Sequence, residues 1–273
     1  MTDASRAVGV TGNLFSASNS KNFSAEVANE YEKIRAHHAR GSSGAKRLTI
    51  EEARENREPI DWSSYSPPKP SFLGTKVFDH YDLAELADRI DWKPFFQAWE
   101  LHGRFPEILD DPKVGEAARS LYEDGMRMLD SMIADKWVRA RAVIGFWPAA
   151  AVGDDIALFT DESRSERLSM LHTLRQQRVH SRADRANLAL ADFVAPLETG
   201  VPDYVGGFAV TAGTEIDKRA KQLEAKHDDY DSILMKDIGD RLAEAFAERM
   251  HERGRKEFWG YAPDEHHSNE ELI

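Results

Sequence analysis

Cysteine is absent from this 273-residue chain, which excludes disulfide bonds and thiolate metal sites. No apolar run approaches the roughly 20 residues needed to span a bilayer. The opening residues Met1-Thr2-Asp3-Ala4-Ser5-Arg6 lack the apolar stretch of a signal peptide, so a cytoplasmic protein is expected. Positive charge is in deficit: 36 basic residues against 48 acidic ones give a net charge of -12. Nucleic-acid binding needs a cationic face to displace phosphate counterions and is not expected. A local basic patch around Arg175, Arg178, Arg182 and Arg185 is the exception. Also missing are the glycine patterns of P-loop and Rossmann sites, the G-x-S-x-G elbow and the H-E-x-x-H zinc motif.

What the chain does have is enough apolar side chain, 41% with 10% aromatic, to bury a sizeable core. Ala7-Val8-Gly9-Val10 reads as a short strand that needs partners. Residues 24–40 read as a helix with Ser24 as N-cap, closed by Gly41-Ser42-Ser43-Gly44. Thr49 and Glu52 have capping-box spacing for a short helix through Glu55. Pro67, Pro68 and Pro70 make 61–73 an extended connector. Helices are expected over 82–90, 112–135, 166–178 and about 215–257. Runs at 141–147, 155–160, 192–194 and 206–211 read as strands, the first two antiparallel across Pro148 and Gly153-Asp154. Long helices around a few antiparallel strands make an α+β domain.

Two constellations could carry chemistry. Asp91 opens the run Asp91-Trp92-Lys93-Pro94-Phe95-Phe96, where Pro94 biases Lys93 away from helical geometry and marks a turn. Burial of the aromatics would make that turn a rigid holder for one carboxylate. Asp240, Glu244 and Glu248 recur at i, i+4, i+8 and so share one helix face, with Arg241, Arg249 and Arg253 adjacent to offset their repulsion. Such a stripe suits a sulfonium, an amine or hydroxyl groups; it equally suits a solvated face, and Asp91 a plain helix end. In His227-Asp228-Asp229-Tyr230-Asp231 consecutive side chains point in different directions, so no converging metal set is expected there. The pairs His37-His38 and His266-His267 are no better placed.

Several segments carry a family resemblance: Tyr31-Glu-Lys-Ile-Arg35, Asp91-Trp-Lys-Pro-Phe-Phe96, Leu174-Arg-Gln-Gln177, Leu190-Ala-Asp-Phe-Val-Ala-Pro196, His227-Asp-Asp-Tyr230, Arg241-Leu-Ala-Glu-Ala-Phe246 and Trp259-Gly-Tyr-Ala-Pro263. In order and spacing, over nearly the whole chain, they resemble the activation domain of cobalamin-dependent methionine synthase. The resemblance implies a twisted antiparallel sheet flanked by long helices. It implies S-adenosylmethionine as cofactor, with cobalamin contacted through a partner domain. The implied role is reductive remethylation of cob(II)alamin: flavodoxin or a flavoprotein reductase delivers an electron, and S-adenosylmethionine supplies the methyl group. Asp91 and Glu244 match family residues that contact S-adenosylmethionine, and Asp240 matches a position near the cobalamin-domain interface. No catalytic residue, metal, nucleic acid or membrane is implied.

Asp3-Ala-Ser-Arg-Ala-Val-Gly-Val10 resembles the close of a cobalamin-binding domain. Residues 1–23 are therefore expected to be a linker remnant, and 24–273 an activation domain. The family's R-x-x-x-G-Y-P-x-C-P segment has no counterpart before Ile273. By this reading the domain lacks its C-terminal part, its cofactor site is incomplete, and the isolated chain is inactive. The competing expectation is a docking module for a cobalamin domain or flavodoxin that does not bind S-adenosylmethionine.

Overall fold

A capping box at Thr49 and Glu52 opens a short helix. Thr49 Oγ1 accepts from Glu52 N at 3.2 Å, and Glu52 Oε2 accepts from Thr49 N at 2.8 Å. In the computed structural model, which describes residues 10, 13–16, 18–42, 47–180 and 185–266, this box opens helix α2 (Ile50–Glu55). The preceding helix α1 runs Ser20–Ser42, so Ser24 lies inside the first turns rather than at the N-cap. The strand expected at Ala7–Val10 lies outside the described residues except for Val10, which is helical.

The chain forms two compact units, Met1–Pro59 with Leu174–Asp192, and Ile60–Thr173 with Phe193–Ile273. In the first, the later segment returns to the earlier one through Leu48 N to Gln177 O at 2.9 Å and Asn187 N to Asn56 O at 2.7 Å. Arg175 belongs here and is buried against Asp192 rather than standing in a basic patch. Arg178 and Arg185 are exposed, and Arg182 lies outside the described residues.

The second unit holds an open antiparallel sheet of β1 (Gly74–Phe78), β2 (Arg141–Val152), β3 (Asp155–Phe159), β4 (Arg167–Leu171) and β5 (Asp203–Thr211). Strand β2 is the spine. One edge pairs first with β1, up to Gly74↔Phe146, and then with β3 from Ala149↔Leu158; the other edge pairs with β5 along Arg141–Ala149. Pro148 does not interrupt this strand, contrary to expectation. It falls between the end of the β1 pairing and the start of the β3 pairing, where no neighbour needs its missing N–H. Residues 167–171, expected to be helical, instead pair with β3, because a partner edge outweighs local helix propensity. Residues 192–194 do not form a strand; Leu190–Phe193 is a 3-10 turn.

Helices α3 (Leu83–Ala87), α4 (Trp92–Ala98), α5 (Gly115–Asp135), α6 (Glu215–Glu224) and α7 (Asp229–Arg253) enclose the core on one sheet face. That face is set by alternation: Ala142, Ile144 and Phe146 are buried against Phe246, Met250 and Phe258. A π-helical turn, Gly254–Phe258, ends α7. There the connector is tied down: Ser71 N donates to Phe258 O at 2.8 Å, and Trp259 Nε1 to Pro68 O at 2.8 Å. No helix among the described residues is long and apolar enough to cross a membrane.

Candidate functional site

The Asp91 segment is a helix start rather than a turn. Asp91 is the N-cap of α4, and its Oδ1 accepts from Lys93 N at 2.9 Å. Pro94 sits in the first turn, where a backbone N–H has no intrahelical partner and its loss costs nothing. Trp92, Phe95 and Phe96 are buried, with Trp92 and Phe95 edge to face at 5.2 Å. A seven-residue helix is too short to persist by itself, so this aromatic anchor holds the cap in place. The Asp91 carboxylate is exposed.

Helix α7 runs beside it. Its apolar side, Leu234, Ile238, Leu242 and Phe246, is buried, which turns Asp240 and Glu244 to solvent and leaves Glu248 half-buried. Arg241 Nη1 pairs with Glu244 Oε2 at 2.7 Å and so offsets part of the stripe. The other two arginines do not: Arg249 pairs with Glu85 and Glu252, and Arg253 with Glu257. Glu248 Oε2 is buried and has no hydrogen-bond donor among the described residues. Burial raises its pKa, and the negative charges of Asp91 and Glu244 raise it further against the opposing charge of Arg89. Asp91, far away in sequence, therefore shares one electrostatic field with Glu244 and Glu248. Asp240 lies one turn before Glu244, on the same exposed side.

Sequence reasoning missed Asp237. It is buried, accepts from Trp99 Nε1 at 2.9 Å and faces Arg241 Nε at 3.6 Å. Burial raises its pKa, the Trp99 hydrogen bond and Arg241 lower it, and Asp240 and Glu244 add to the rise. Asp237 thus lies against Arg241, the cation that pairs with Glu244 of the stripe. The His227–Asp231 run is used structurally. His227 takes a left-handed turn at φ 62°, and Asp228 caps α7. Tyr230 Oη donates to Asp124 Oδ2 at 2.6 Å, and burial with that bond pushes the phenol up to about 12. Among the described residues no group of three metal-ligating side chains converges.

A family model described as the vitamin B12 dependent methionine synthase activation domain matches residues 82–273. The chain belongs to this family. A solved structure of the MetH reactivation domain bound to AdoHcy is 48% identical, with a TM-score of 0.79, over 83% of this chain and 69% of that one. The match bears out the open antiparallel sheet with flanking helices and the reading of this chain as a methionine synthase activation domain.

Because the folded-state pKa of Glu248 is raised, folding favours its protonated form. Stability from this group is fully present below the ordinary carboxylate range and is lost as pH rises through the raised value. Glu248→Gln removes that loss, so the variant should melt above the parent near neutral pH and level with it in acid. Parallel melting curves at every pH would show that Glu248 is not under strain.

Proposed function

We propose that this chain serves the reductive remethylation of cob(II)alamin, with Asp91 and Glu244 attracting the cationic part of S-adenosylmethionine. One observation supports the reading: the charges of Asp91 and Glu244 both act on Glu248, whose inner oxygen has no hydrogen-bond donor among the described residues. A sulfonium or ammonium group placed among these carboxylates relieves their mutual repulsion and favours their ionised forms. The donor set therefore fits the cofactor. S-adenosylmethionine supplies a methyl group when bound, and flavodoxin or a flavoprotein reductase supplies the electron. The chain's residues orient and hold charge; none is assigned to bond making.

Cobalamin is supplied by a cobalamin-binding domain, and Asp240, exposed beside Glu244, is assigned to the contact with it. Residues 24–273 are assigned to the activation domain and 1–23 to the linker from the cobalamin domain. The absence of cysteine, and of any membrane-crossing helix among the described residues, supports a cytoplasmic setting.

Calorimetric titration with S-adenosylmethionine tests the site. Asparagine is as good an N-cap as aspartate, so Asp91→Asn removes the charge and keeps helix α4. Glu244→Gln acts at an exposed position. Each is expected to weaken binding about tenfold, roughly 1.4 kcal/mol. Flat heats for the unaltered chain, or binding indifferent to both changes, would defeat this reading.

A further inference from the structure

We propose that Arg241 is a swinging counter-ion: it neutralises Glu244 until a cation arrives there, then turns back to the buried Asp237. The inference rests on the reading of Glu244 as a contact for the cationic part of S-adenosylmethionine. It adds Asp237 as a positioning residue and an exchange of ion partners within the protein.

Arg241 stands between two carboxylates of helix α7, Asp237 four residues before it and Glu244 three residues after. Both spacings bring side chains together on a helix surface. The two partners differ in depth. Glu244 is 57% exposed and accepts a full bond from Arg241 Nη1 at 2.7 Å. Asp237 is 9% exposed, and its Oδ1 stands 3.6 Å from Arg241 Nε, beyond a hydrogen bond. Arg241 Nε is itself buried and has no acceptor among the described residues. The guanidinium is thus bonded to the exposed partner and falls short of the buried one.

A buried donor without an acceptor is costly, whereas an exposed ion pair in water is weak. The shortfall at Asp237 therefore pulls against the bond to Glu244. Closing 3.6 Å to the roughly 2.8 Å of a charge-assisted bond asks a shift of less than about 1 Å. Asp237 is the anchored partner, because Trp99 Nε1 at the C-terminal end of α4 donates to its Oδ2 at 2.9 Å. The guanidinium is the group that moves. A sulfonium or ammonium group at Glu244 competes with Arg241 for the same carboxylate. Asp237 then takes the released guanidinium, so the incoming cation does not meet an uncompensated positive charge beside it.

The Arg241 Nε–H magnetic resonance, identified by its loss in Arg241→Lys, reads the swing directly. Glu244→Gln needs no cofactor and should move this resonance downfield and slow its exchange with water. Asp237→Asn added to that variant should undo both effects. Saturating S-adenosylmethionine on the unaltered chain should move the resonance the same way as Glu244→Gln. In calorimetry, Arg241→Gln should tighten S-adenosylmethionine binding about threefold, the scale of an exposed ion pair. Asp237→Asn keeps an acceptor for Trp99 and should weaken binding by a similar factor, but have no effect in the Arg241→Gln chain. A resonance indifferent to Glu244→Gln would overturn the proposal. So would cofactor binding that leaves the resonance in place, or a loss from Asp237→Asn that persists without Arg241. Flat heats from the unaltered chain would instead defeat the reading of Glu244 as a cofactor contact, and the release step with it. The Glu244→Gln shift still decides the exchange between the two carboxylates.

Discussion

Phe95→Ala should destabilise the larger unit by about 3–5 kcal/mol, the range found for truncating a fully buried phenylalanine. Phe95 has no exposed surface and packs edge to face with Trp92 and Phe96 at 5.2 and 5.5 Å. It also reaches the backbone of α5: a Cβ built on Gly125 would stand 2.9 Å from Phe95 Cζ and 3.4 Å from Ile238 Cδ1. Glycine at 125 thus lets α5 approach the ring and α7 together. Removing the ring opens a cavity among three helices, and helices of α5 and α7 length cannot shift locally to close it. The denaturant midpoint should fall with little change in slope. Phe95→Leu keeps most of the volume and should cost less, on the order of 1 kcal/mol. Phe95→Ala should also weaken S-adenosylmethionine binding, because Asp91 caps a short helix whose N-terminal end is anchored by these aromatics. Unaltered binding in a destabilised Phe95→Ala chain would show that the cap is positioned by something else.

Local signals gave the parts of this fold that depend on neighbours in sequence. The Thr49–Glu52 box, the long apolar stripe of α7 and the hairpin across Gly153-Asp154 are each read within a few residues. Failures fall where a distant partner decides. Residues 167–171 have helix-compatible composition and became a strand because β3 offers an edge. Pro148 reads as a breaker, yet lies in a gap between two pairing partners. Pro94 reads as a turn, but the first turn of a helix accepts proline.

The site divides in the same way. Asp91 is visible as a candidate from the aromatic turn read around it, and Asp240, Glu244 and Glu248 from their i+4 spacing. That Glu248 is the half-buried member could not be read from periodicity, because it depends on how α3 and α4 cover one end of α7. The Trp99–Asp237 bond joins residues 138 positions apart, and no spacing rule points to it. A buried aspartate inside an otherwise apolar helical face was the one available hint.

Asp192→Ala should also cost about 3–5 kcal/mol, now in the smaller unit, because it leaves a guanidinium buried without its counter-charge. The Arg175 and Asp192 side chains are 2% and 5% exposed and joined by two bonds of 2.8 and 2.6 Å. Arg175 Nη1 also donates to Asn187 O at 2.7 Å, and Asp192 Oδ2 accepts from Ala189 N at 2.9 Å. Asn187 in turn donates to the carbonyls of Gln176 and Arg178 and accepts from Asn56 at 2.7 Å. The pair is therefore the hub that folds 174–192 onto the segment around α2. An exposed pair such as Arg35–Glu32, 65% and 72% exposed, contributes about 0–1 kcal/mol by contrast. Replacing both buried partners with apolar residues, Arg175→Met with Asp192→Leu, removes the stranded charge and should recover much of the loss. Amide exchange at Leu48, Gln176 and Asn187 reads the effect directly. Fast exchange in the single variant and recovery in the double variant is the expected pattern. Equal loss in both would mean that the hydrogen bonds to Ala189 and Asn187, rather than the buried charge, hold this segment in place.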